Sequence, residues 1–338
     1  MLDYEIQKKF DKLIDLNLTQ LSGQTSQPPW KKNEKNQYQD LLILNESPIL
    51  VKSSQTDIKS LNISYELPFN VDLSSINKTK LEKELYEKII NIYDLNFDLE
   101  KFYNFLLNDS ELENSIKFCR GLRLFIAKNP FECIISSICS ANNSINRWTK
   151  SISQIKLKWG NNFKFPSGEF FTFPSPKTLF NTYEDELQEY ESLNKSIEIE
   201  CCINNLKSCG VGYRTSYMKK ASDIFLNQLN VNDFFKMDYE EAFETILKVP
   251  GVGPKVADCI LLYGFGFKEA FPSDVWIKRI ISKLYFNGKD ISATKARDFG
   301  MDKFGDYAGY AQLYLFHYAR KSGLMDKISN NKKNKVLV

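Results

Sequence analysis

Strands first and helices after: the chain predicts an α+β protein, with an N-terminal antiparallel β-sheet domain followed by a mostly α-helical one. Three observations carry this. Short apolar runs broken by Gly, Asn, Ser and Pro fill the chain up to about residue 75. From Lys80 onward, apolar residues recur at three- and four-residue intervals, the period of a helix. Between Tyr239 and Tyr263, two such helical stretches are separated by the sequence VPGVG, where Pro250, Gly251 and Gly253 end the first helix abruptly.

The strands are expected at Leu13–Leu18, Gln39–Leu44, Ile49–Lys52 and Leu61–Leu67. The domain boundary is placed at residue 77, in SSINKT, so the units are 1–77, 78–325 and a basic tail at 326–338. Helices follow at Lys80–Asp94 and Leu99–Leu107. Another starts after Asn129-Pro130, turns its Ile face inward, and stops at Asn142-Asn143, residues that favour turns and left-handed backbone. Residues 160–190, rich in Phe, Gly and Pro, read as a loop with short β character. After the glycine hairpin, Pro254 suits the first position of a new helix, where its missing N–H is no loss. That helix buries Val256, Ala257, Ile260, Leu261 and Tyr263. Ser273 or Asp274 caps the next one.

With 338 residues and 43% hydrophobic composition, the chain can bury two substantial cores. A net charge of +3 is too small to prove a nucleic-acid partner, so any basic surface must be local. Seven cysteines, an odd number without framework spacing, suggest reduced thiols inside a cell. No signal peptide or membrane-length apolar run is present, which places the protein in the cytoplasm or nucleoid, or in a nucleus. The only histidine is His317, which argues against His-dependent catalysis and multi-His metal sites.

The hairpin is where chemistry concentrates. Its glycines bring backbone N–H groups close to a ligand, and with the positive end of the following helix they suit a phosphate oxygen. Lys255 lies in the first turn of that helix beside an apolar face. Both influences favour a neutral amine, so its pKa is expected to fall. Asp274 opens the helix after it. In isolation, a surface lysine and an ordinary capping aspartate are the commoner reading of such residues.

VPGVGPKVAD followed by Pro272-Ser273-Asp274 resembles the helix-hairpin-helix, Gly/Pro-Asp (HhH-GPD) superfamily of DNA base-excision glycosylases. Lys255 is similar to the lysine of members that are both glycosylases and AP lyases. Other segments resemble the 8-oxoguanine DNA glycosylases in particular. They are Ser22-Gly23-Gln24, Asn129-Pro130-Phe131-Glu132-Cys133, Cys139-Ser140-Ala141-Asn142-Asn143, Gly210-Val211-Gly212-Tyr213-Arg214 and Tyr307-Ala308-Gly309-Tyr310-Ala311-Gln312. The chain departs from the pattern after Gly23, where Thr25–Trp30 replaces the usual Phe-Arg-Trp. It departs again at Trp276, where many relatives carry a phosphate-contacting histidine.

The resemblance implies roles. Lys255 would attack C1′ and form a Schiff base, and Asp274 would stabilise the departing state. The Gly23 carbonyl would accept N7–H, a donor present in 8-oxoguanine and absent from guanine. Gln312 would face the Watson–Crick edge, with the base stacked between Phe316 and Cys259. Asn142 would fill the gap left by the flipped nucleotide and Tyr213 would wedge into the duplex. Arg147 and Arg214 would reach the opposite cytosine, while Gly251, Gly253 and Trp276 would hold phosphates. No cofactor is required, and no closely spaced Cys quartet follows Asp274 to hold an iron–sulfur cluster. A structural monovalent or divalent cation on the backbone carbonyls of Leu247, Val249 and Val252 is part of the same resemblance. The expected partner of a monomeric chain is double-stranded DNA with 8-oxoguanine opposite cytosine, with no membrane involved. Alternatives are an alkylated-purine glycosylase, whose relatives lack the lysine, and an oxidised-pyrimidine glycosylase of the endonuclease III type. A non-catalytic DNA-binding hairpin module is the third.

Overall fold

Five strands form one antiparallel sheet in the computed structural model, which describes residues 8–69, 77–183 and 205–322. They are β1 (Lys8–Phe10), β2 (Lys31–Lys32), β3 (Tyr38–Leu44), β4 (Ser47–Ser54) and β5 (Leu61–Glu66), in the order β1-β5-β4-β3-β2. β3 and β4 pair from Tyr38↔Ser53 to Leu44↔Ser47. Their two-residue loop, Asn45-Glu46, has positive φ at both positions, the backbone that matches the strand twist.

The expected strand at Leu13–Leu18 is instead interrupted by a helix, α1 (Leu16–Leu21). Asp15 decides this: its carboxylate accepts the Leu18 N–H at 2.8 Å and caps the first turn.

Helix α2 (Lys78–Ile92) lays Leu81, Leu85, Ile89 and Ile92 on one face of the sheet, together with Trp30, Tyr93 and Phe125. The opposite face is covered by a hairpin of β6 (Asn162–Phe165) and β7 (Gly168–Phe171), whose Phe165 and Phe170 meet Leu41 and Leu50. β3 is therefore buried on both sides from Tyr38 to Leu42, while Ile43 near its end is exposed.

The second and larger core is helical. It is built from α3 (Leu99–Leu106), α4 (Glu113–Phe118), α5 (Pro130–Ser140), α6 (Ile145–Trp159), α7 (Pro176–Phe180) and α8 (Thr215–Asn227). α9 (Tyr239–Ile246), α10 (Pro254–Ile260), α11 (Val275–Tyr285), α12 (Ala293–Phe304) and α13 (Ala308–Lys321) complete it. α5 is the central post: every residue from Phe131 to Ser140 is buried. α10 packs against it and runs on into a π turn at Leu261–Phe265, closed by Gly266 at φ 83°.

Buried charge ties the two layers together. Lys128 donates to Asp40 of β3 and to the Leu41 carbonyl at 3.0 Å, while Lys156 of α6 lies 3.5 Å from Asp40 and 3.9 Å from Glu132. Arg123, also buried, donates to the carbonyls of Leu13, Asp94 and Phe97. The basic tail and Cys201-Cys202 lie outside the described residues.

Candidate active site

The hairpin closes through two short backbone bonds, Val249 N–H to Ile246 O and Val252 N–H to Val249 O, both 3.1 Å. Gly251 has φ 88°, and a Cβ there would lie 2.7 Å from the Cβ of Tyr217, so only glycine fits. Gly253 caps α10 and is exposed, with open space where a Cβ would project. The N–H groups of Gly251 and Gly253 have no partner among the described residues. Two free donors thus stand beside the positive end of α10, as a phosphate site requires. Val256, Ala257, Ile260, Leu261 and Tyr263 are buried, as their spacing predicts.

Pro254 at the first helical position sets Lys255 one residue into α10. Cys259 follows one turn later, near enough to the Lys255 amine to act on its charge. Asp274 attracts the same amine from the start of α11, where its carboxylate accepts Trp276 N–H at 2.9 Å and Ile277 N–H at 2.8 Å. These two neighbours overturn the expected direction of the lysine's titration. Burial alone would lower the Lys255 pKa, but the Cys259 sulfur and the Asp274 carboxylate outweigh it and hold the ammonium above the ordinary lysine value. Burial pushes the Cys259 thiol up in spite of the ammonium beside it.

α13 supplies the opposite wall. Gln312 is buried rather than on a surface; its amide donates to Pro272 O at 3.1 Å and accepts from Tyr263 OH at 3.4 Å. Pro272 is two residues before Asp274 and Tyr263 is one turn beyond Cys259, so Gln312 is tied to the segments that carry both. Phe316, half-buried, lies one turn along α13. Gly23 adopts φ 87° and packs against Ile145 of α6. Gln24 fixes this turn by donating to Arg123 O and accepting from Phe125 N–H. The departure at Thr25–Trp30 is equally anchored: Thr25 shares a hydrogen bond with Ser137 at 2.8 Å, and Gln27 accepts from Lys128 N–H.

A second set faces outward. Asn142 is exposed with φ 49°, the left-handed turn its sequence predicts. Arg147 is exposed one turn into α6. Tyr213 is 61% exposed and stacks under the Arg214 guanidinium, 4.5 Å from ring centre to Cζ. Arg214 itself is buried. Its Nε donates to Ala141 O at 2.8 Å, Nη2 to Asn142 O at 3.0 Å and Nη1 to Val211 O at 3.2 Å. In this conformation its donors hold the Asn142 turn and do not face outward to a cytosine. Trp276, 43% exposed, carries Arg279 across its ring. Among the described residues no group of three or more His, Cys, Asp or Glu side chains is placed to hold a metal ion. No described helix is long and apolar enough to cross a membrane.

Sequence reasoning passed over Arg297. Its Nε donates to Asp258 at 2.7 Å, and Tyr239 OH bonds the same fully buried carboxylate, joining α9, α10 and α12 behind Lys255. The available signal was Asp258 itself, since an aspartate on the buried side of a helix demands a cation.

Residues 6–134 match the family model of the 8-oxoguanine DNA glycosylase N-terminal domain, and residues 135–304 match that of HhH-GPD superfamily base excision DNA repair proteins. The chain is 42% identical over 316 residues to a probable N-glycosylase/DNA lyase of Methanothermobacter thermautotrophicus, covering 93% of this chain and 96% of the relative. The structure resembles that of the Clostridium acetobutylicum 8-oxoguanine glycosylase/lyase in complex with duplex DNA containing cytosine opposite 8-oxoguanine. There the TM-score is 0.72 at 27% identity, over 95% of this chain and 100% of that one. MBOgg1 in complex with a low-affinity DNA ligand gives 0.74 at 26% identity, over 96% and 98%. The chain belongs to the HhH-GPD superfamily of base excision DNA repair proteins and, within it, to the N-glycosylase/DNA lyases.

Proposed function

We propose that the protein excises 8-oxoguanine from duplex DNA and then cuts the strand by β-elimination, with Lys255 as the nucleophile. The observation that carries this reading is the meeting of Lys255, Cys259 and Asp274 at the mouth of α10, braced to Gln312 through Pro272 and Tyr263. Gly251 and Gly253 amides hold a backbone phosphate without reading sequence, and the Trp276 indole N–H serves a neighbouring one. Tyr213 wedges into the duplex and Asn142 takes the space of the extruded nucleotide, because C1′ is unreachable in a stacked helix. Arg147 reaches the opposite cytosine, while Arg214 presets the Asn142 turn.

The extruded base lies between Phe316 and Cys259, with Gln312 on its Watson–Crick edge. The Gly23 carbonyl accepts N7–H from the lesion. Guanine puts a lone pair there instead, and two acceptors face each other. As the glycosidic bond breaks, its electrons go to the base and the sugar becomes cationic beside the Asp274 carboxylate. The Lys255 ammonium gives its proton to the departing base, and the freed amine attacks C1′. Opening of the sugar ring then leaves a Schiff base and a C4′ hydroxyl. Loss of a C2′ proton expels the 3′ phosphate.

None of these steps uses a cofactor. A cation on the carbonyls of Leu247, Val249 and Val252 would stiffen the hairpin and draw in phosphate; Val249 O keeps a lone pair after accepting Val252 N–H. One chain supplies every group, so the active unit is a monomer, working wherever the cell keeps its duplex DNA. Single-turnover base release tests the reading. 8-Oxoguanine opposite cytosine should be released and undamaged guanine retained. Preference for an alkylated purine or an oxidised pyrimidine, or no release at all, would contradict it.

A further inference from the structure

Arg320 lies one turn beyond Phe316, and the spacing of Gln312, Phe316 and Arg320 puts all three on one face of α13. Its guanidinium carbon is 5.6 Å from the centre of the Phe316 ring. Its Nη1 lies 3.0 Å from the point a Cβ on Gly23 would occupy. Arg320 therefore spans the gap between the residue read as one stacking wall and the glycine read as the N7–H acceptor. That Nη1 is buried and has no hydrogen-bond partner among the described residues. Buried donors are normally satisfied, and one left open beside a ligand site marks where a ligand acceptor arrives. Gly23 and Arg320 also share the wall of a cavity of about 390 Å³ with Gln24 and Ile145, which gives the guanidinium room to move.

We propose that Arg320 is a base-recognition residue that donates from its guanidinium to a carbonyl oxygen flanking N7 of the extruded oxopurine. This rests on the reading of Gly23 and Phe316 as the base site. The edge that Gly23 contacts through N7–H is bordered on either side by the C6 and C8 carbonyl oxygens, and both are acceptors. The Gly23 carbonyl, an acceptor itself, serves neither of them. A guanidinium beside it supplies the missing donor, and a charged donor makes the stronger bond.

Arg320→Met keeps the length and the packing on Phe316 while removing the donors, and Arg320→Lys keeps the charge. For each, base release from an 8-oxoguanine duplex is compared with strand cleavage at a preformed abasic site, which contains no base to recognise. Arg320→Met should slow base release about 10- to 100-fold, leave abasic-site cleavage and the unfolding midpoint unchanged, and be partly rescued in Arg320→Lys. A duplex carrying 8-oxoadenine, which has an amino group in place of the C6 oxygen, locates the contact. Equal loss on both lesions assigns the C8 oxygen, and loss confined to 8-oxoguanine assigns the C6 oxygen. Normal wild-type release with an unchanged Arg320→Met rate overturns this proposal alone. So does a parallel fall in both reactions with the unfolding midpoint, the mark of a structural role. A wild-type protein that cleaves abasic duplex but releases no 8-oxoguanine overturns the base-site reading and this proposal with it.

Discussion

Lys128 and Lys255 are both shielded from bulk water, and they titrate in opposite directions. Lys128, at the seam between sheet and helices, is held below the ordinary lysine value because burial outweighs the attraction of Asp40, and Lys156 beside it repels its charge. Lys255 is held above that value because the Cys259 sulfur and the Asp274 carboxylate outweigh its burial. Burial alone therefore does not make a lysine reactive. Lys128 points its N–H groups at fixed acceptors, Asp40 and the Leu41 carbonyl, between packed layers that no substrate enters. Lys255 stands at the open start of α10, and its carboxylate partner is already committed to two backbone N–H groups of α11. The first arrangement stores a charge. The second holds a protonated amine at an open helix start.

Substitutions should separate these two roles. The largest effect belongs to Lys255→Gln, which should cut strand cleavage and covalent capture on the order of 10⁴-fold or more while leaving the unfolding midpoint unchanged. Next comes Asp274→Asn. Asparagine caps a helix as well as aspartate does, so stability should hold while base release slows about 100- to 1,000-fold, measured in single turnovers. At the seam the pattern should reverse. Asp40→Asn leaves Lys128 and Lys156 without their shared carboxylate and should cost about 3–5 kcal/mol in a denaturant titration, with activity per folded molecule retained.

pH gives a subtler contrast. Since the Lys255 pKa lies above 10.5, the amine fraction should rise about tenfold per pH unit, and trapping on a preformed abasic duplex should climb from about pH 7 to about pH 9 without levelling. A plateau in that window would mean a depressed lysine. The smallest effect concerns His317, which burial and the neighbouring Arg320 and Lys321 push down from 6.5 to about 4. The unfolded chain binds that proton first, so the neutral ring's contribution is complete above 6.5 and is lost as pH falls towards 4. His317→Phe should flatten the pH dependence of the melting temperature across that interval.

Much of this was legible in the sequence, for physical reasons. β3, β4 and β5 and the first two long helices follow from hydrophobic period alone. The glycine hairpin follows from Pro250, Gly251 and Gly253, and its geometry proved to exclude any other residue at 251. Leu13–Leu18 misled because its alternation suits a strand, while the Asp15 cap that makes a helix is worth as much as any pairing. The β6–β7 hairpin was visible as a loop with short β character, but not its packing, since its partner, the outer face of β3 and β4, is distant in the chain. The titration of Lys255 was misread for the same reason: an apolar helix face is written locally, whereas the approach of Asp274 is tertiary. Arg214 and Arg320 make the point twice. Sequence names a guanidinium, and only packing says whether its donors are engaged, as in the first, or whether one of them, Nη1 of the second, is left without a partner among the described residues.

As the nucleophile, Lys255 should become covalently joined to the sugar of a damaged nucleotide. Borohydride trapping tests it most directly, on duplexes containing 8-oxoguanine opposite cytosine, thymine glycol, or no lesion. A protein–DNA adduct should form on the 8-oxoguanine duplex alone and be lost in Lys255→Gln. An adduct that survives Lys255→Gln, or none from a wild-type protein that still releases the base, would contradict it.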